Sequence, residues 1–117
     1  YYYPATILGE VTPDSVAFQE ELFGPVASVI RAKDEKDAIR LANATVYGLG
    51  AAIFSQDVER AEKLARNELD AGLCMVNGIV RSDSRWPFGG TKDSGYGREL
   101  TLYGAHEFVN LKTVVID

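Results

Sequence analysis

One cysteine and one histidine stand in 117 residues. A single thiol cannot close an internal disulfide, so the fold must hold without covalent cross-links, which is compatible with a reducing cytoplasm. A lone histidine makes neither a metal site nor a catalytic triad, and His106 reads as structural. The apolar stretches run only a few residues, against the roughly 20 that span a bilayer, and no basic-then-apolar leader opens the chain. Positive charge is in deficit: 12 Lys+Arg stand against 17 Asp+Glu, for a formal net charge of -5, and no block of like charges interrupts the mixture. Neither nucleic acid nor membrane is expected as a partner, and a cytoplasmic location is. Internal repeats and low-complexity tracts are missing too. So is a starting methionine: Tyr1-Tyr2-Tyr3 runs straight into a strand-like segment without a cap or polar lead-in, and this beginning reads as a cut.

What is present suits one globular domain, since 46% apolar residues can build one modest core. Thr6, Ile7, Leu8 and Val11 suit a strand over 5–11, and Pro13-Asp14-Ser15 supplies loop chemistry. After the Gly24-Pro25 turn, the β-branched run 26–30 predicts a buried strand. Asp34 is the expected N-cap of a helix, with Asp37 three residues on and Ala38, Leu41 and Ala42 on one face. Tyr47-Gly48-Leu49-Gly50 breaks that helix, and 51–54 reads as a second buried strand. Asp57 caps a helix carrying Val58, Ala61, Leu64, Ala65 and Leu69 at helical spacing, stopped by Ala71-Gly72. A third buried strand follows at 73–76. Strand, helix, strand, helix, strand at these lengths predicts right-handed crossovers in a parallel sheet, an α/β fold. Residues 77–98 fit no period and read as a long functional loop. A short helix over 99–108 and a β-branched strand over 113–116 close the chain.

Few residues invite chemistry. In Glu20-Glu21-Leu22-Phe23-Gly24-Pro25 two acids and a ring precede a turn into a strand, where a carboxylate can hold a sugar diol and a ring can pack on a flat cofactor. Solvated acids with Phe23 in the core are the plainer reading of the same pattern. Cys74 lies among apolar neighbours, where desolvation suppresses the thiolate, so inert packing is expected of it. Gly89-Gly90 and Gly95-Tyr96-Gly97 lack the leading strand and the Gly-Lys-Ser/Thr that a phosphate loop requires, and are read as turn glycines.

Gln19 to Val26, Ala42-Asn43 with Tyr47-Gly48-Leu49, Ala71-Gly72 with Val76-Asn77, and Pro87-Phe88-Gly89-Gly90 with Lys92, Ser94-Gly95 and Gly97-Arg98-Glu99 together resemble the aldehyde dehydrogenase superfamily over essentially the whole chain. The resemblance implies the later half of that catalytic domain, a parallel sheet with flanking helices, over 1–110, and an oligomerisation strand over 111–117 that adds to a neighbouring subunit's sheet. It implies oxidation of a small-molecule aldehyde through a cysteine thioester with NAD or NADP as cofactor, in a homo-oligomer. The nucleophilic cysteine and the glutamate base both fall upstream of the matched region, so no catalytic residue is expected here and the chain alone is expected to be inactive. Glu21 matches the acid that binds the nicotinamide ribose and Phe23 the ring beside the nicotinamide, which favours the cofactor reading of that segment over the plain one. Loop 77–88 matches the segment lining the aldehyde tunnel, with Ser82 and Phe88 at substrate-facing positions.

Within the superfamily, 76–83, 96–100 and 106–110 are most similar to succinate-semialdehyde dehydrogenases. Such a substrate carries a distal carboxylate, for which Arg81, Ser82, Ser84 and Arg85 offer donors, and Trp86 is bulky enough to narrow the tunnel. The competing expectation is a stand-alone, non-catalytic binding or assembly module, since a sheet severed from its neighbours exposes edges and an apolar face.

Overall fold

Local signals of the chain reappear as hydrogen bonds. The computed structural model describes all residues, 1–117. Asp34 caps helix α2 (Glu35–Asn43), its carboxylate accepting from the Asp37 N–H at 2.8 Å. Asp37 returns the bond from the far side, accepting the Lys33 N–H at 3.1 Å. Asp57 caps helix α3 (Val58–Asn67), accepting from the Arg60 N–H at 3.0 Å. The bonds from the Asp37 and Arg60 N–H groups satisfy donors that a first helical turn leaves without partners, and the one from Lys33 ties down the residue before the cap.

The chain forms two compact units, Tyr1–Val46 and Tyr47–Asp117. In the first, β1 (Thr6–Leu8) and β2 (Val26–Ser28) pair in parallel, with Thr6 opposite Val26 and Leu8 opposite Ser28. A single helical turn, α1 (Val16–Gln19), lies between them and is tied to β2 by the Ser28 hydroxyl, which donates to the Ala17 carbonyl at 3.0 Å. The α2 face predicted from Ala38, Leu41 and Ala42 borders an open hollow of about 200 Å³ with Phe18, Ile30 and Ala32.

The second unit holds the strand–helix–strand core. Strand β3 (Tyr47–Gly48) comes first, then β4 (Gly50–Ile53), α3, β5 (Leu73–Val76), β6 (Thr91–Lys92) and α4 (Thr101–His106). β4 and β5 are parallel, with Gly50 opposite Leu73 and Ile53 opposite Val76. α3 packs on both, and its Ala61 is 1% exposed.

Five expectations are corrected. The strands form three two-stranded ladders instead of one continuous sheet: β2 pairs with β1, β5 with β4, and β3 with β6. The strands expected to be buried are half-exposed, with Ala27 on β2 and Gly50 and Ala52 on β4 open to solvent. A parallel strand is buried only where helices cover both of its faces, and alternate residues of β4 lack such a cover. The run 113–116 forms no strand, and Val114, Val115 and Ile116 are exposed. A strand needs a neighbour for its backbone groups, and no strand of this chain pairs with that run. The helix expected over 99–108 is confined to Thr101–His106, and Leu100, which precedes it, takes φ of 64° and ψ of 167°, outside the helical region.

The stretch 77–98, expected to be irregular, contains β6, antiparallel to β3 with Tyr47 opposite Lys92 and Gly48 opposite Thr91. The Gly48 N–H donates to the Ser94 hydroxyl at 2.9 Å and the Thr91 hydroxyl donates to the Gly48 carbonyl at 3.3 Å. Gly72 lies flat against the Gly89-Gly90 backbone, so closely that a methyl group there would overlap the Gly89 carbonyl oxygen.

Candidate functional site

Phe23 sits at a sharp corner of the first unit. The Gly24 N–H donates to the Leu22 carbonyl at 2.6 Å and the Val26 N–H to the Gly24 carbonyl at 2.8 Å, two successive three-residue turns. The Thr6 N–H donates to the Pro25 carbonyl at 2.9 Å and pins the corner to β1. At this corner the Phe23 ring is 94% exposed. With Tyr3, Leu22, Pro25 and Val26 it borders an apolar hollow of about 350 Å³. Glu21, two residues earlier, is also exposed. The corner thus presents one carboxylate and one flat ring to solvent beside an apolar hollow.

The second cluster lies past the carboxyl ends of β4 and β5, the end at which open α/β sheets hold ligands. Asn77 fixes that end. Its backbone takes φ of 53°, its N–H donates to the Ile53 carbonyl at 2.8 Å, and its amide clasps Ser55 at two points. There Oδ1 accepts from the Ser55 N–H at 2.8 Å and Nδ2 donates to the Ser55 carbonyl at 2.9 Å. Loop 77–88 starts from this clasp, and the Val80 side chain touches one side of the otherwise exposed Gly50, where a methyl group would overlap it.

Arg81 and Ser82 follow, both exposed. Phe88 is half-buried, held by its backbone: its N–H donates to the Glu99 carbonyl at 2.9 Å and its carbonyl accepts the Glu99 N–H at 2.6 Å. Arg98 reaches back to the carbonyls of Gly90 and Gly97 at 3.0 and 2.6 Å and closes the loop between them.

Arg85, offered by its charge as a carboxylate donor, is already engaged. Its Nε and Nη2 donate to the two oxygens of Asp83 at 2.8 and 2.7 Å, and its guanidinium lies 5.2 Å from the centre of the Trp86 ring. The fork from Arg85 holds the Asp83 carboxyl down to about 2, with smaller help from the charge of Arg81. A depressed acid favours the folded state above its ordinary value of about 4, and that contribution is lost as pH falls through about 2. A carbon-detected NMR titration should therefore find the Asp83 midpoint near pH 2, and Arg85→Gln should return it to about 4. A wild-type midpoint already at the ordinary value would mean that the fork does not persist in solution.

Cys74 lies on β5 opposite Ala51, and burial pushes its thiol up, away from the thiolate a nucleophile needs. The clasp by Asn77 and the neutralisation of Arg85 were not foreseen from the sequence. The Asp-x-Arg spacing at 83–85 was the signal for the second, because a turn of that length lets a guanidinium fold back on the acid.

The aldehyde dehydrogenase family profile matches residues 1–114. Across 113 residues, 97% of this chain and 24% of the relative, it is 50% identical to the succinate semialdehyde dehydrogenase [NAD(P)+] Sad of Escherichia coli. It is 52% identical over 109 residues to the succinate-semialdehyde dehydrogenase [NADP(+)] of Deinococcus radiodurans, covering 93% of this chain and 23% of that one. Among solved structures, the Mycobacterium tuberculosis aldehyde dehydrogenase complexed with NAD+ superposes with a TM-score of 0.89 at 35% identity, over 95% of this chain and 23% of the other. The salicylaldehyde dehydrogenase of Pseudomonas putida G7 complexed with salicylaldehyde gives 0.89 at 43% identity, over 93% and 22%. The chain thus spans about a quarter of the length of the curated relatives it matches. It belongs to the aldehyde dehydrogenase family.

Proposed function

We propose that this chain works as the C-terminal part of an NAD(P)-dependent aldehyde dehydrogenase that oxidises succinate semialdehyde to the dicarboxylate. The observation that carries this reading is that about half of its residues are shared, along nearly its full length, with two enzymes named for that substrate. The longer protein would supply the nucleophilic cysteine, the glutamate base and most of the dinucleotide site.

The corner at 21–26 fits a nicotinamide riboside: a carboxylate accepts from both hydroxyls of a sugar diol, and an exposed ring beside an apolar hollow packs on a flat heterocycle. Glu21 would hold the ribose and Phe23 would flank the nicotinamide. When bound, the cofactor accepts the hydride that leaves the aldehyde carbon. Arg81 and Ser82 would receive the distal carboxylate of the substrate, Arg81 through its planar fork and Ser82 through its hydroxyl, while Phe88 would form an apolar wall of the tunnel. Residues 111–117, with their unpaired backbone and exposed Leu111, Val114, Val115 and Ile116, would add as a strand to a neighbouring subunit in a homo-oligomer. The single unpaired thiol of Cys74 suits a reducing compartment such as the cytoplasm.

The test is the native protein that contains these residues. We expect an intact mass several-fold above 12.8 kDa, NAD(P)-linked oxidation of succinate semialdehyde by that protein, and none by residues 1–117 alone. Turnover by the isolated chain that vanishes on Cys74→Ala would overturn the reading. A native mass near 12.8 kDa would favour the assembly module, for which the exposed Phe108, Val109 and Leu111 offer an apolar surface.

A further inference from the structure

Loop 77–88 carries two arginines and an acid at alternate positions, Arg81, Asp83 and Arg85, and the two arginines are not equivalent. Arg85 is locked: two side-chain hydrogen bonds bind it to Asp83, its own N–H donates to Asp83 Oδ1 at 3.0 Å, and its guanidinium covers Trp86. The Asp83 side chain is 20% exposed and that of Arg85 71%, so the acid seats the fork while the outer side of the guanidinium meets solvent. Arg81 is exposed and forms no ion pair, although its charge reaches Asp83. The trio therefore carries one net positive charge, and all of it resides on Arg81.

Resting on the functional reading above, we propose that Asp83 is a specificity-determining residue. It is an internal carboxylate that occupies Arg85 and leaves Arg81 as the one guanidinium of the loop available to the carboxylate of the aldehyde. A guanidinium fork meets any carboxylate with the same two parallel bonds. An internal acid and a substrate acid thus compete for the same donors, and the internal one is already in place. The pairing limits the loop to one charge, which matches the single distal carboxylate of a semialdehyde.

The readout is a ratio in the full-length enzyme: kcat/KM for succinate semialdehyde divided by kcat/KM for butanal, an uncharged aldehyde of the same carbon count. Asp83→Asn keeps the shape and frees Arg85, and the ratio should rise about fivefold, as one more unit charge some 4 Å from a carboxylate in watery surroundings predicts. Arg85→Gln leaves Asp83 without its partner to repel the substrate carboxylate, and the ratio should fall by a similar factor. The double variant should return to the wild-type ratio. A purely structural role would lower both rates together and leave the ratio where it was. An unchanged ratio in both single variants, or a fall in Asp83→Asn, overturns the proposal while succinate semialdehyde remains the substrate. A wild-type enzyme that oxidises butanal but not succinate semialdehyde overturns the functional reading, and this proposal with it.

Discussion

Gly72→Ala should cost about 3 kcal/mol in urea unfolding of the protein that carries this chain, at the upper end of what overpacking usually costs. The reason lies in what the new methyl group meets. The Gly89 carbonyl carbon would be 2.8 Å from it and Gly90 Cα 3.1 Å, with the Gly89 oxygen closer still. All three are backbone atoms, so no side chain can swing aside. The segment cannot retreat either, because the Gly72 N–H donates to the Gly48 carbonyl at 2.9 Å and the Leu73 N–H to the Leu49 carbonyl at 3.2 Å. Relief would require breaking these bonds or pulling β6 off β3. Gly24→Ala is the matched control: nothing lies within 4 Å of a methyl group there, and an unencumbered surface change typically stays within about 0.5 kcal/mol. Equal effects from the two substitutions would mean that the contact between Gly72 and the 89–90 segment does not hold in solution.

Glu21→Ala should raise the KM for NAD(P) of the full-length enzyme between about tenfold and a hundredfold, the loss expected when charge-assisted hydrogen bonds of about 1.5–3 kcal/mol are removed. Glu21→Gln should fall between wild type and alanine, since an amide keeps one acceptor where a carboxylate offers two. The KM for the aldehyde should move much less, because Glu21 would touch the ribose and not the reacting carbon. Steady-state kinetics with each substrate varied in turn separates the cases. An unchanged cofactor KM in Glu21→Ala would remove the ribose contact from the functional reading.

Helices α2 and α3 were legible because their signals are local, whereas the single turn α1, whose N-cap Ser15 makes no side-chain cap bond, was not read from the sequence. Asp34 and Asp57 stand where a cap must stand, and each binds the N–H three residues on. β4, α3 and β5 followed from length and apolar runs. The β3–β6 ladder was not legible: each strand has two residues, too few for any period, and the bond between Thr91 and Gly48 joins positions 43 apart. At 113–116 propensity asked for a strand, but pairing decides strands, and no partner lies within the chain. The candidate site was less legible than the fold. An exposed acid and an exposed ring at 21–23 look like ordinary surface to any pattern, and the cofactor role proposed for them rests on resemblance to a family. The division of labour between Arg81 and Arg85 needed coordinates, since one adjacent acid neutralises one arginine and leaves the other free.

The clasp at the end of β5 also sets how this chain ages. Asn77 is followed by Gly78, a pairing whose small second residue lets its nitrogen close on the asparagine side-chain carbon and expel ammonia. Both side-chain atoms of Asn77 are held on Ser55, at 2.8 and 2.9 Å, which keeps that carbon away from the attacking nitrogen. Ring closure therefore has to wait for the strand ends to open. Isoaspartate at position 77 would accumulate as a record of how often they do.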